Sequence, residues 1–371
     1  MKRRLLMVGR TRYDLPLSET LARKFAALDA ELDVLVLATA RRVSAADSRF
    51  RLYPPLPLGP LEGAAFYALL PFRVARELHR FHPDAVLAQG GQETALVLLG
   101  RALARSRAKV ILDVHGDWRA PTRLYGSPAR RALAPLGDWL ARIAVRRADA
   151  VRTISAYTSG LVRAEGVEPA AEFPAFMDLE PFTASPPAPL PEQPAVLFVG
   201  VLERYKAIDV LADAWRLVAA RVPGARLRIV GSGSLSAVAE TLAAELPESV
   251  SWTLSVLTGE VAAALDAATV LVLPSRSEGL GRVVVEAFCR GRAVVGSRVG
   301  GIPDLVTDGE TGLLVPPGDV LALADALVAA LEDRVLASRL GAAAYTAIQP
   351  WLASPEDYAR RISSLVEDVC R

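Results

Sequence analysis

The chain has 371 residues, 52% of them apolar and 23% charged, with a formal net charge of +2. That length holds two ordinary domains with separate cores, and no uncharged apolar run reaches the roughly 18 residues of a membrane span. Cys289 and Cys370 are the only cysteines, without ligand-like spacing, so neither a disulfide framework nor a structural zinc site is expected.

The small net charge conceals an asymmetry. Residues 1–190 carry 27 Lys and Arg against 19 Asp and Glu, a balance of +8, whereas residues 191–371 carry 16 against 22, a balance of −6. A basic first half predicts an anionic partner on that side, either a phosphorylated acceptor or an anionic membrane surface. The alternative is a solvated basic face with no partner. Met1 to Arg4 followed by Leu5 to Val8 is too short in its apolar part for a secretion signal, and reads as the first strand of a cytoplasmic protein.

In chain order, Leu5 to Val8 is a short buried strand ending at Gly9, with a loop expected from Arg10 to Pro16. A helix from near Ser18 follows, then strand 34–37, a helical stretch from Gly63 to Phe81, and strand 84–88 ending in Gln89-Gly90-Gly91. After a helix carrying Leu96 to Leu103, Val110 to Val114 is a strand with His115-Gly116-Asp117 at its carboxyl end. A helix over 136–147 and a strand over 150–154 complete the half. Strands alternating with helices predict a parallel sheet covered on both faces, which binds ligands at the carboxyl ends of its strands.

Between Ala184 and Pro194 the proline density predicts an extended linker. The pattern then restarts with a strand from Ala195 to Gly200, a helix over 208–220, strand 226–230 entering Gly231-Ser232-Gly233-Ser234, and a helix through Ala244. Strands at 250–254, 269–273 and 293–296 follow, and a last helix covers about 355–370. The expected division is residues 1–183 as an acceptor-side Rossmann-like domain, 184–194 as linker, 195–354 as a donor-side Rossmann-like domain, and 355–371 as a helix able to cross back to the first domain.

The most informative stretch runs from Pro274 to Ala287. Pro274 stops an apolar strand, Gly279 and Gly281 frame a tight loop, and a helix starts near Arg282. Free N–H groups and the helix dipole there make an anion site. Glu278 and Glu286 add a carboxylate on each side, which suits hydroxyl-rich sugar groups flanking a phosphate, since carboxylates accept hydrogen bonds from hydroxyls. The alternative is that Glu278 caps the helix and Glu286 is solvated. Gly231 and Gly233 form a second glycine turn in the same domain. Arg204 and Lys206 follow the strand ending at Gly200, where a cation stabilises charge on a departing diphosphate. His115 ends a strand beside small residues, in contrast to His79 and His82 at a helix end. No nucleophile elbow, Walker lysine or metal-ligand pairing occurs, and basic residues are not interleaved with aromatics as nucleic-acid binding requires.

Across about residues 195–330 the chain resembles the retaining GT-B glycosyltransferases of family GT4. Ser277 to Gly281 with Glu286 matches that family's paired-glutamate motif, and Gly300 to Val306 and Asp308 to Asp319 match its next block. In the first half the resemblance rests on His115-Gly116-Asp117 and Thr153-Ile154-Ser155. It implies an α/β fold of GT-B type, two Rossmann-like domains facing each other across a cleft.

The resemblance implies that Glu286 binds the nucleotide's ribose hydroxyls and Glu278 the transferred sugar's hydroxyls. Backbone N–H groups around Gly279, Leu280 and Gly281 would meet sugar and phosphate, Lys206 the diphosphate, and Val256 the base. His115 would lie near the sugar's primary hydroxyl and the reacting carbon. Such enzymes need no metal or other cofactor. Their retention is ascribed to same-face attack, with the leaving phosphate oxygen taking the acceptor's proton.

Four positions depart from the family pattern: Val201 stands for an arginine, Ala207 for the glycine after the lysine, and Leu254 for a glycine near the base. Gly9-Arg10-Thr11-Arg12 replaces a Gly-Gly loop. Arg204 is the expected substitute cation, and Arg10, Arg12 and Gln89 are the expected acceptor-side residues. The function expected is metal-independent, retaining hexosyl transfer from a UDP- or GDP-sugar to an anionic or lipid-linked acceptor. Rival readings are a GT-B sugar-nucleotide epimerase and a non-catalytic nucleotide-sugar-binding partner. Arg119, Arg123, Arg130 and Arg131 near Trp118, Leu124 and Tyr125 motivate a peripheral contact with an anionic membrane.

Overall fold

The computed structural model describes residues 2–54, 62–120, 132 and 134–371. The chain forms two compact units, Met1–Asp178 with Ala353–Arg371, and Leu179–Leu352.

Unit 1 contains β1 (Arg4–Leu15), α1 (Glu19–Glu31), β2 (Asp33–Val43), β3 (Phe50–Tyr53), α2 (Glu62–Phe81), β4 (Ala85–Gln89), α3 (Gly91–Ala104), β5 (Lys109–Val114), α4 (Ala134–Arg147), β6 (Ala150–Thr153), α5 (Ala156–Arg163) and β7 (Ala171–Glu172). Its sheet is parallel, in the order β3-β2-β1-β4-β5-β6-β7. The order reverses between β1 and β4, and at such a switch point the loops leave a crevice at the carboxyl ends of the strands. Gly9 and Gln89 flank that point.

The loop expected after Gly9 is instead a continuation of β1. The register with β2 shifts between Val8 and Arg12, and then Arg12 to Leu15 pair with Thr39 to Val43. Tyr13 and Leu15 are buried while Arg12 and Asp14 are exposed, a period of two that fits a half-buried strand. The Tyr13 ring meets Phe25 and Phe50 edge-on at 6.0 and 5.2 Å, which fastens the extension to α1 and β3.

The unit 1 sheet has apolar packing on both faces. One cluster joins Leu5, Phe25, Leu28, Val34 and Ile111 to Tyr358, Ile362 and Leu365, and the other joins Leu6, Val8, Leu70, Val74, Val86 and Val110. The residues 358–366 in the first cluster belong to the last helix of the chain, which therefore packs on α1 of unit 1.

Unit 2 runs through α6 (Glu180–Thr183), β8 (Ala195–Val199), α7 (Ile208–Arg221), β9 (Arg226–Val230), α8 (Ser236–Glu245), β10 (Val250–Thr253), α9 (Thr258–Asp266), β11 (Val270–Leu273), α10 (Arg282–Cys289), β12 (Ala293–Ser297), β13 (Gly312–Val315), α11 (Val320–Glu332) and α12 (Arg334–Ile348). α13 (Pro355–Cys370) then returns to unit 1. Its start is set by a capping box, in which the Ser354 side chain accepts from the Asp357 N–H and Asp357 accepts from the Ser354 N–H. The second sheet, β10-β9-β8-β11-β12-β13, is also parallel and reverses between β8 and β11. The four residues of β11 are fully buried, which fits its unbroken apolar run.

The proline-rich stretch is tied to unit 2 by three arginines. Arg290 donates to the carbonyls of Ser185 and Pro186 at 2.7 and 2.9 Å. Arg292 donates to Ala188 and Pro189 at 2.9 and 3.0 Å, and Arg334 to Leu190 and Pro191. Prolines have no N–H to join a helix or sheet ladder, so the carbonyls of this extended stretch find no ladder partners, and guanidinium groups satisfy them.

Candidate active site

The unit 2 site is built from loops leaving β8, β9, β11 and β12 on either side of the switch point. After β8 the chain makes a single 3-10 turn, Arg204–Lys206. Ala207 ends it at φ 54°, a left-handed conformation that disfavours a side chain. A glycine fits that position best, and the alanine adopts the same backbone shape.

The loops touch backbone to backbone. A Cβ on Gly231 would stand 1.8 Å from the Gly200 carbonyl oxygen, and one on Gly233 would stand 2.6 Å from that of Leu202. A Cβ on Gly300 would lie 1.9 Å from the Glu278 carbonyl oxygen. Hydrogen bonds run across the same contacts, from Leu202 N–H to Ser232 at 2.9 Å, Arg276 N–H to Tyr205 at 2.6 Å and Gly301 N–H to Glu278 at 3.1 Å. These glycines bring peptide groups of separate loops together with no side chain between them.

Within this frame the Lys206 Nζ donates to Glu278 Oε2 at 2.5 Å, and both side chains are largely buried, 11% and 14% exposed. Two further Lys206 N–H donors remain beyond that bond. Gly279, Leu280 and Gly281 lead from Glu278 into α10, whose N-cap is Gly281 at φ 89°. One turn into α10, Glu286 is buried and accepts from Arg282 Nε at 2.7 Å, an i,i+4 pair. Burial raises the Glu286 pKa, and the Arg282 charge and hydrogen bond only partly offset it. Glu286 is therefore not solvated, and Glu278 makes no cap hydrogen bond to α10 but is held by the lysine.

Arg204 is exposed, and its guanidinium pairs with no carboxylate among the described residues. Its backbone carbonyl accepts from Arg276, which also grips Asp209 through two bonds of 2.9 and 2.7 Å. This clamp between the β11 loop and α7 was not legible in the sequence, where 67 residues separate its members. Val256 lies half-buried on the loop after β10, next to the exposed Leu254 and Leu257.

In unit 1, His115 follows β5. Its Nε2 lies 2.8 Å from Asp113 Oδ2, and Arg152 from β6 takes the other oxygen. Gln89, at the end of β4, accepts from Thr11 Oγ1 at 3.2 Å. The Arg10 guanidinium lies over the Tyr67 ring at 5.8 Å, and Tyr67 donates to the buried Glu93 at 2.8 Å. Arg12 is engaged by Glu62 at 2.9 Å. Gln89 and Arg10 thus flank the β1/β4 switch point, while Arg12 is on the exposed side of the strand extension. Of the residues that motivated a membrane contact, Trp118 is buried and Arg119 pairs with Asp117. Arg123, Leu124, Tyr125, Arg130 and Arg131 lie outside the described residues. No helix among the described residues is long and apolar enough to cross a membrane.

Two family models match the chain, the glycosyl transferase 4-like domain over residues 18–172 and the glycosyl transferases group 1 over residues 193–333. The chain is 32% identical over 297 residues to the GDP-mannose-dependent alpha-(1-6)-phosphatidylinositol monomannoside mannosyltransferase of Mycolicibacterium smegmatis, a match covering 75% of this chain and 74% of that one. It is 36% identical over 157 residues to a sulfoquinovosyl transferase of Arabidopsis thaliana, covering 42% of this chain. It is also 36% identical over 169 residues to the D-inositol 3-phosphate glycosyltransferase of Corynebacterium diphtheriae, covering 43% of this chain. The matches span only 30% and 40% of those two relatives. Among solved structures, sucrose-phosphate synthase from Thermosynechococcus elongatus superposes with a TM-score of 0.76 at 21% identity, covering 99% of both chains. Anabaena HepE, solved with UDP and glucose, gives 0.68 at 17% identity, covering 99% of this chain and 100% of that one.

Proposed function

We propose, for a chain that belongs to the glycosyl transferases group 1 (family GT4) and has their GT-B fold, transfer of a hexose from a nucleotide-diphosphate sugar to an acceptor hydroxyl. The observation that carries the donor assignment is the Lys206–Glu278 pair beside the glycine loops, with the buried Glu286 one turn along α10. A donor of this class has a charged bridge flanked by hydroxylated rings. The spare N–H groups of Lys206 and the first turn of α10 suit the diphosphate. Glu286 suits the ribose, because a buried carboxylate gains most from hydroxyls that donate to it. Glu278 suits the transferred sugar, and Val256 the base.

The reaction requires no metal in this reading, since Lys206, Arg204 and the α10 N-terminus supply the positive potential at the leaving diphosphate. The anomeric C–O bond to phosphate breaks, with its electron pair leaving on the diphosphate. The acceptor oxygen bonds to the same face of that carbon, and its proton passes to a departing phosphate oxygen, so configuration is retained. His115 is assigned to the sugar's primary hydroxyl.

The basic balance of residues 1–190 favours an acceptor bearing phosphate or a lipid-linked anion. The mannosyltransferase relative is named for a phosphatidylinositol acceptor. A peripheral contact with an anionic membrane accords with that acceptor class. The protein should co-sediment with phosphatidylglycerol vesicles at low salt and leave them at high salt; failure to bind at low salt removes the membrane part of the proposal.

The donor assignment is tested by calorimetry and turnover with UDP- and GDP-sugars. Glu286→Ala should weaken nucleotide binding about tenfold or more, the value of one charge-assisted hydrogen bond. Glu278→Ala should mainly slow transfer. A Glu278→Ala enzyme working at the parent rate, or a parent that binds nucleotide yet neither transfers nor hydrolyses the sugar, would sink the assignment.

A further inference from the structure

His115 is supported by a buried charge network. Asp113 and Arg152 are direct partners in the β5–β6 ladder. Strand side chains alternate, so Asp113 and His115, two residues apart, fall on the same side. The contacts follow that placement. Arg152 Nη1 donates to Asp113 Oδ1 at 2.5 Å, and His115 Nε2 meets Asp113 Oδ2 at 2.8 Å. Arg152 is completely buried, and its Nη2 donates to the carbonyls of Phe173 and Pro174 at 2.9 and 2.7 Å. Its guanidinium lies over the Phe173 ring at 4.1 Å and within 5.8 Å of the Tyr358 ring on α13. The last helix thus closes the network from behind.

This arrangement decides which ring nitrogen carries hydrogen. Burial works against the Asp113 carboxylate, but the charges and hydrogen bonds of His115 and Arg152 outweigh it and hold its pKa well below the usual carboxylate range. An ionised carboxylate accepts and never donates. The nitrogen facing it must be the donor, and in a neutral imidazole the other nitrogen is then an acceptor. His115 Nδ1 makes no hydrogen bond to a described residue, and the side chain is 38% exposed.

We propose that Asp113, backed by Arg152, is a positioning residue for sugar transfer, holding His115 with Nε2–H turned into the fold and Nδ1 presented as the acceptor for a donor-sugar hydroxyl. This rests on the glycosyltransferase reading above. A misplaced tautomer would offer the hydroxyl a hydrogen where it needs a lone pair.

The test is Asp113→Asn, assayed by sugar transfer and by long-range proton–nitrogen NMR of His115. In the variant Arg152 still requires an acceptor, so the amide oxygen turns to it and the amide NH2 faces His115. Nε2 must then accept, and the neutral ring becomes Nδ1–H. The expected result is that change of tautomer together with a loss of about tenfold or more in transfer rate at saturating donor, the order seen when outer partners of a functional histidine are removed. A parent His115 found as Nδ1–H or protonated on both nitrogens at the assay pH, or a switched tautomer with the rate unchanged, overturns the proposal. Asp113→Leu combined with Arg152→Met replaces the buried ion pair by apolar volume, which proteins often tolerate. It must show the same loss of rate even where Asp113→Asn does not fold. A parent inert towards every nucleotide sugar would instead overturn the transferase reading, while its nitrogen shifts would still decide the tautomer.

Discussion

Unit 2 holds its polar groups by laying backbone on backbone, and unit 1 holds its own by burying side-chain charge. Gly231, Gly233 and Gly300 let three loops of unit 2 touch through their peptide groups, and Lys206 pairs with Glu278, to which Ser275 Oγ also donates at 3.5 Å. In unit 1 the glycines at the β1/β4 switch point meet other groups: Gly91 packs on the Ala141 Cβ and Cα of α4, where an added Cβ would stand 2.6 and 2.8 Å away, and Gly9 faces the end of the Gln89 side chain. His115 is held instead through Asp113, Arg152 and the carbonyls of residues 173 and 174. Backbone packing tolerates almost no substitution at the glycine but leaves nearby side chains free to vary. A charge network tolerates backbone variation but needs all of its members.

The largest effect expected from this difference is at the glycines. Gly300→Ala places a Cβ 1.9 Å from a carbonyl oxygen, at φ 59°, where a side chain is also strained. Backbone cannot yield as a side-chain end can, so a loss of about 3 kcal/mol or more is expected, combining overpacking with backbone strain. Gly9→Ala meets only the Gln89 Oε1, at 2.9 Å, the far end of a flexible side chain. It should cost within about 1 kcal/mol, near the ordinary range for a mild substitution. Urea unfolding of both variants measures the contrast, and equal losses would refute the distinction between the two units.

The same difference explains what the sequence revealed. Glycine requirements are written into the chain, so Gly231, Gly233 and the loop from Glu278 to Gly281 could be recognised before any coordinates. The parallel strands of both units could also be read, because each is a short apolar run such as Val270–Leu273. The β1 extension was missed because Arg10, Thr11 and Arg12 interrupt the apolar run, although Tyr13 and Leu15 keep its alternation. Arg152 read as one residue of an apolar strand, and its partnership with Asp113 depends on a register set 39 residues away. The role of Arg290, Arg292 and Arg334 in holding the proline-rich stretch was equally unreadable, since its acceptors lie 103 residues or more from all three donors.

The smallest effect is one of sign, and it separates the units most directly. Stability rises with pH wherever the unfolded chain binds more protons than the folded one. Asp113 has a folded pKa held below its unfolded value, so its contribution is present above about pH 4, the ordinary aspartate pKa, and is lost as pH falls further. Glu286 has a folded pKa raised by burial, so its contribution is full below the ordinary glutamate value and is lost as pH rises through the raised one. Replacing each acid by its amide removes the respective slope. Relative to the parent, Glu286→Gln should therefore gain stability as pH climbs from about 4 towards 7. Asp113→Asn should instead close its deficit against the parent as pH falls below about 4. Urea midpoints across that range report both differences. Slopes of the same sign would mean that the two carboxyls are held alike, and that the contrast between a backbone-built site and a charge-built one does not extend to their electrostatics.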